Sequence, residues 1–340
     1  MAENDRISTD YWTLPTVDIR APTVVQHYHL AFDPTSSENI PIPIAKNQIP
    51  KIDFTRMAEG LKKDQAKEMM SSEMDFPGCP IKIEEFFESV PEFKNDHSKR
   101  HVVAWANVMA HVAQLTQPNW AATIHAIAQV IREVPCLVLT KIRGLQVPTN
   151  EEHWKLASRL GILVGLHLTS KSDVDYNRRI TNSITDYYFA LLKLNVGDIT
   201  IWILAEIDGL YANQLVEIKV KEHFTQLDLC RAYFSAVPKI ISSDTRAIVI
   251  AAGGFPKKPC VQFKFGETSK KINEEFLARG KNLISALIVG IFAYFDNHPT
   301  CASLFAKKKL GTLFFQLELP YAQELTEADS ASLSDQSDDF

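Results

Sequence analysis

The order of apolar and polar positions predicts a mixed α/β chain. Thr23 to Leu30 is a short β-prone run inside a proline-rich, polar first fifty residues, which read as extended structure wrapping a core. From Met57 to Met70 the composition turns helical, and prolines at 77 and 80 break it. His101 to Leu115 is apolar at helix-like spacing, yet its alanines and valines leave helix and strand equally open. Pro135 to Thr140 reads as a buried strand, and Glu151 to Leu168 as a helix with Trp154, Leu156, Leu160 and Leu163 near one face. Thr181 to Leu194 is a second helix candidate, ended by Gly197.

Two β-prone runs follow, Ile201 to Asp208 and Gln214 to Lys221, joined by turn-formers at 209–213, which predicts a hairpin. A helix at Gln226 to Val237 stops at Pro238, and strands at Ala247 to Ala252 and Cys260 to Phe265 flank a glycine-proline turn. A long helix spans Asn273 to Phe295, and a last strand Leu313 to Leu319. The fold class expected is α/β (α+β): one domain with a mixed central sheet flanked by helices. Its boundaries are a flexible 1–20, a folded 21–323 and a disordered acidic 324–340, too polar to bury a core.

Composition narrows the function classes. The 340 residues are 46% apolar and 23% charged, ordinary for a globular protein. Five scattered cysteines without a Cys-x-x-Cys pair argue against a zinc cluster or a disulfide framework, and fit a reducing compartment. The start of the chain has neither a basic nor an apolar stretch, so no signal peptide is expected. The longest apolar run, Leu283 to Phe295, is too short to cross a bilayer, so no membrane partner is expected. The net charge of −5 is misleading, because the last seventeen residues hold six acids and no base, which leaves the rest at +1. Basic clusters at Arg178-Arg179, Lys219-Lys221, Lys257-Lys258, Lys270-Lys271 and Lys307 to Lys309 read as solvated surface or as parts of a nucleic-acid groove.

The candidate chemistry lies in the hairpin. Strand alternation places Glu206 and Asp208 on one side of the first run, and Glu217 and Lys219 on one side of the second. Three carboxylates near one another suit a hard cation, Mg²⁺ or Mn²⁺, and a lysine beside them suits activation of a water or stabilisation of a phosphoryl oxygen. The spacing Asp208, then Glu217-x-Lys219, is that of the broad PD-(D/E)xK nucleases. A solvated cross-strand Glu–Lys pair would look the same.

Glu206-Ile207-Asp208 followed by Glu217-Ile218-Lys219 resembles the paired motifs of the DXO decapping-exonuclease family. Val102-Val103-Ala104-Trp105, Gln316 to Tyr321 and His27-Tyr28-His29-Leu30 are similar to its flanking segments, so the likeness runs over about 20–325. The resemblance implies a PD-(D/E)xK nuclease-like core, with Asp208, Glu217 and Glu206 as metal ligands, Lys219 and Glu206 as catalytic groups, and RNA 5′ ends as partner.

Three departures point to a decayed site. Gly165-Leu166-His167-Leu168-Thr169 has threonine where the family's metal-binding glutamate belongs, Trp105 is followed by Ala106 instead of a phosphate-binding arginine, and the helix after the hairpin lacks its glutamine, showing Arg231-Ala232-Tyr233. Asp173 is the nearest replacement carboxylate for Thr169. The pattern is similar to a divergent fly member of the family. That likeness implies a catalytically degenerate nuclear protein acting in germline piRNA-precursor transcription, with chromatin-associated partners such as Rhino and Deadlock. The alternative is an active metal-dependent RNA 5′-end pyrophosphohydrolase and 5′–3′ exonuclease, and a third is an adaptor without RNA binding.

Overall fold

The structure is a computed structural model of the chain. It describes residues 20–33, 38–72, 83–95, 99–115, 123–142, 151–181, 187–221, 223–254, 261–298, 303–309 and 312–318. The expected flexible N-terminus before residue 20 and the acidic tail lie outside the described residues, as do the prolines at 77 and 80.

The strands are β1 (Thr23–Asp33), β2 (Glu38–Ile44), β3 (Arg100–Trp105), β4 (Thr123–Ile131), β5 (Val134–Ile142), β6 (Tyr188–Val196) and β7 (Ile199–Ile207). There follow β8 (Gly209–Tyr211), β9 (Gln214–Val220), β10 (Lys239–Ser243), β11 (Lys264–Glu267), β12 (Ser303–Lys309) and β13 (Thr312–Glu318). The helices are α1 (Phe54–Glu59), α2 (Lys63–Ser71), α3 (Pro91–Asn95), α4 (Ala106–Gln114) and α5 (Glu151–Thr169). After them come α6 (Asp173–Thr181), α7 (Gln226–Phe234), α8 (Thr245–Gly253), α9 (Thr268–Lys271) and α10 (Glu274–Asn297).

Nine strands form one sheet in the order β13-β12-β4-β5-β3-β7-β6-β1-β2, and four form a second in the order β11-β10-β9-β8. Both sheets are mixed: β3 runs parallel to β5 and β7, and β10 parallel to β9, among antiparallel neighbours. The expected α/β class and single mixed-sheet domain are found, with the sheet divided in two.

The main core lies between the sheets. Ile201, Ile203 and Ala205 of β7 meet Leu215 of β9 and Ile240 of β10, together with α4, α7 and α10. The 24-residue α10 has the length and apolarity of a membrane span, but Leu283, Ile284, Leu287, Ile288 and Ile291 are buried in this core. At Gly280 a Cβ would lie 2.6 Å from Ala113 Cβ, so α10 crosses α4 at a distance only glycine permits. The opposite face of the small sheet packs Val216, Ile218 and Val220 against α2, α5 and α8. The opposite face of the large sheet packs Trp202 and Leu204 against Phe86, Phe87 and Phe93.

Two expected elements change type. The second half of the helix expected over Thr181 to Leu194 is β6, because both of its faces are buried: Ala190, Leu192 and Leu194 face one core while Phe189 and Leu191 face another. Apolar residues on both faces erase strand alternation and imitate a helix. The strand expected at Ala247 to Ala252 is part of α8, where Asp244 caps the start by accepting from the Arg246 N–H. Near Cys260, which lies outside the described residues, Val261 makes a single bridge to Leu61, and regular pairing begins at Lys264. The undecided stretch His101 to Leu115 is both things, strand β3 and then helix α4.

Candidate functional site

The chain passes from the large sheet to the small one at Asp208. Both edges of β7 are already paired, with β3 and with β6, so it cannot also pair β9. The backbone therefore leaves the large sheet after Ile207, and the three-residue β8 pairs with β9 instead. The hairpin expected from the sequence is thus shorter than predicted, and Ile201–Ile207 belongs to a different sheet from Gln214–Val220. Its turn is Ala212-Asn213, with φ of 47° and 61°, the left-handed pair that a two-residue hairpin requires. Gly209 pairs with Val216, which sets Asp208 next to Glu217 across the strands. Asp208 Oδ2 accepts the Ile218 N–H at 2.5 Å, so the carboxylate is fixed to β9 itself.

Glu206, Asp208, Glu217 and Lys219 lie close together, with a cation the sequence reading did not assign. Arg231, on α7, places Nη2 3.4 Å from Glu206 Oε2 and Nε 3.9 Å from Glu217 Oε1. Lys219 Nζ pairs with the same Glu217 oxygen. Lys221 binds Asp228 with both carboxylate oxygens, at 2.7 and 2.9 Å. Burial opposes charge on Glu217, but Lys219 and Arg231 outweigh it and hold its carboxyl below the usual range. Burial, and then the charge of Glu217, push the Asp208 carboxyl well above the usual carboxylate range. Burial opposes charge on Arg231 too, yet Glu217 and Glu206 raise its pKa and keep it ionised.

Thr169, where the resemblance places a glutamate, also lies in this corner. Thr169 ends α5, and its Cγ2 lies 3.3 Å from where a Cβ on Gly209 would stand, beside Asp208. Its hydroxyl donates to the Gly165 carbonyl at 2.8 Å and accepts from Arg179 Nη1 at 2.9 Å. Asp173 does not replace the carboxylate: it pairs with Arg56 at 2.7 Å at the exposed start of α6. Ala106 follows Trp105 at the start of α4 and lines a shallow cleft with Glu206 and Arg231. An arginine side chain there would reach into that cleft.

A divalent ion fits this donor set poorly. Glu206 is paired to Arg231, Glu217 to Arg231 and Lys219, Asp208 accepts a backbone bond from Ile218, and Thr169 offers only a hydroxyl. Among the described residues no three His, Cys, Asp or Glu side chains converge as a metal group would require. An entering cation would have to displace Arg231, a charge that belongs to the chain. The sequence shows that the segment from Arg231 to Ser235 offers no glutamine, but the ion pairs Arg231 makes depend on how α7 docks, which no local pattern encodes.

No protein-family model and no curated protein matches the chain. Solved structures do. Rai1 of S. pombe in complex with 3′-FADP superposes with a TM-score of 0.60 at 12% identity, covering 91% of this chain and 98% of that one. Rai1 of Scheffersomyces stipitis gives 0.57 at 12%, covering 94% and 95%. Rai1 of Candida albicans in complex with pU5-Mn²⁺ gives 0.54 at 10%, covering 89% and 90%. At these identities the likeness is one of architecture, and the chain has the Rai1 fold over nearly its whole length.

Proposed function

We propose that the chain is a catalytically degenerate relative of the DXO decapping exonucleases that binds and protects RNA 5′ ends. The observation that carries this reading is Arg231 set between Glu206 and Glu217. A carboxylate cluster without its cations repels phosphate, whereas one balanced by Arg231 and Lys219 does not, so an RNA end can enter without metal. The same pairing leaves no open position from which a bound ion could polarise a phosphoryl oxygen or a water. Support for an RNA end as the ligand is the fold shared with Rai1 proteins solved with pU5-Mn²⁺ and with 3′-FADP.

The second reading, a working metal-dependent pyrophosphohydrolase or 5′–3′ exonuclease, is favoured by the gathering of Asp208, Glu217 and Lys219 at one corner. Incubating the protein with 5′-triphosphate, 5′-monophosphate and capped RNAs, with Mg²⁺ or Mn²⁺, separates the two. Retention without cleavage is expected. Thr169→Glu, Ala106→Arg and Arg231→Gln together restore metal-dependent cleavage, and adding Asp208→Ala removes it. Robust cleavage by the natural sequence, lost on Asp208→Ala, would sink the degenerate reading.

The motif losses resemble those of the Cutoff protein of flies. On that likeness the protein is nuclear, supports germline piRNA-precursor transcription and works with chromatin-bound partners of the Rhino and Deadlock kind. Proximity labelling in germline nuclei tests this, and labelling confined to cytoplasmic proteins contradicts it.

A further inference from the structure

On the Glu217 face of the small sheet, Lys219 continues into a row of side chains that crosses three strands. Its register partner on β10 is Ser242, and that of Ser242 on β11 is Lys264, so two lysines flank one serine with their backbones roughly 10 Å apart. The neighbouring row on the same face, one step nearer Asp208, is Glu217, Ile240 and Gly266. Lys271, which ends α9, lies over Gly266: a Cβ there would stand 2.7 Å from its Cε and Nζ, so a larger residue would push the lysine off the sheet. The Phe224 ring, its centre 4.8 Å from the ammonium, holds it in place.

Two features set this row apart from a solvated face. Lys264 and Lys271 are exposed and have no carboxylate partner among the described residues. The acids that β9 and α7 bring to this side are committed, Glu217 to Lys219 and Arg231, and Asp228 to Lys221. Ser242, by contrast, is 4% exposed, yet its hydroxyl has no hydrogen-bond partner among the described residues. A buried hydroxyl left unpaired calls for an explanation, since it has given up its bonds to water. Set between two lysines, it is placed to donate to an anion whose charge the ammonium groups then balance.

We propose that Ser242, Lys264 and Lys271 form a seat for an internucleotide phosphate of an RNA strand whose 5′ end lies at the corner of Asp208 and Glu217. Continuity points to this occupant. Lys219 belongs to that corner through its pairing with Glu217, and also to the row that leads to Ser242 and Lys264. A strand running from the corner across the small sheet therefore meets one set of cations after the other. The proposal rests on the reading of the chain as an RNA-binding protein, but not on recognition of the end.

The test uses the full chain, uridine 5′-monophosphate, and fluorescent hexauridine RNAs with 5′-phosphate or 5′-hydroxyl. Lys264→Gln with Lys271→Gln is expected to weaken the hexamer roughly tenfold, whichever its 5′ group, and to lower the slope of log affinity against log salt by about 1.4. The mononucleotide, which has no internucleotide phosphate, is expected to bind unchanged. Lys63→Gln with Lys67→Gln, on α2 at the opposite face of the small sheet, removes the same charge and should leave affinity and slope near their natural values. Because a double variant can misfold, hexamers with one neutral methylphosphonate linkage are bound to the natural sequence in parallel. At one linkage the replacement is expected to weaken binding and to remove the effect of the two substitutions. Equal affinity for the two 5′ groups, with the hexamer loss intact, refutes the end-binding reading and keeps the seat. A folded variant that binds the hexamer as the natural sequence does, or a loss that no single methylphosphonate reproduces, overturns the seat and leaves the lysines to an acidic protein surface. Absence of RNA binding by the natural sequence overturns both readings.

Discussion

Arg231 is the residue on which the site turns. It sits about a quarter exposed between two acids, one of them almost fully buried. Removing the guanidinium while leaving both carboxylates is expected to destabilise the fold by roughly 2–4 kcal/mol, since one charge loses compensation inside the protein. Chemical denaturation of Arg231→Gln at pH 7 checks this, and a loss below about 0.5 kcal/mol would mean the acids find other partners.

A second residue gives the protein a pH signature. His167 is buried in α5 beside Arg56; burial and then that guanidinium push its pKa down to about 4 from 6.5. The folded state therefore holds it neutral while the unfolded chain takes up a proton below pH 6.5. Its stability contribution is full above pH 6.5 and falls as pH drops to about 4, by at most about 3 kcal/mol. Urea unfolding at pH 7 and pH 4.5 should show a smaller difference for His167→Gln than for the natural sequence. An identical difference would show that the ring does not titrate this way. Glu206, Asp208, Glu217 and Lys219 were legible in the sequence because their spacing along two β-prone runs is local. The partner that neutralises them was not, because it arrives on a helix fourteen residues past Glu217 whose docking is a property of the core.

At the scale of elements, the β8–β9 turn is built from an unfavourable residue. Ala212 has a φ of 47°, where a Cβ is strained and glycine is not. Ala212→Gly is expected to stabilise the protein by about 0.5–1 kcal/mol, read as a higher denaturation midpoint at unchanged slope. A lower midpoint would mean that the Ala212 methyl makes a contact worth more than the strain. The crossing of α4 and α10 predicts the reverse: Gly280→Ala drives a methyl into Ala113 and should cost about 1–3 kcal/mol. The same element scale explains which predictions failed. Amphipathic α5 and α7, with their one-sided apolar faces, were readable, while β6, buried on both sides, was read as a helix. Ala247 to Ala252 looked β-prone because isoleucine and valine were weighed and the cap at Asp244 was not.

For the whole molecule, the two-sheet architecture decides what the carboxylates can do. The passage of the chain from β7 to β8 at Asp208 gathers the acids at the seam between the sheets, and α7 closes that seam with an arginine. A mixed α/β domain was legible from patterning, but the division into two sheets was not, because it follows from β3 and β6 occupying both edges of β7. The proposed function has Arg231 and Lys219 meet the RNA phosphate without a metal ion. Its most direct test is the affinity for a 5′-monophosphorylated RNA, measured by fluorescence anisotropy in EDTA and again in millimolar Mn²⁺, with the RNA recovered afterwards. The predicted result is the same affinity within about twofold and intact RNA in both. Binding that tightens tenfold or more with Mn²⁺, with the RNA shortened and both effects lost on Glu217→Gln, would contradict it.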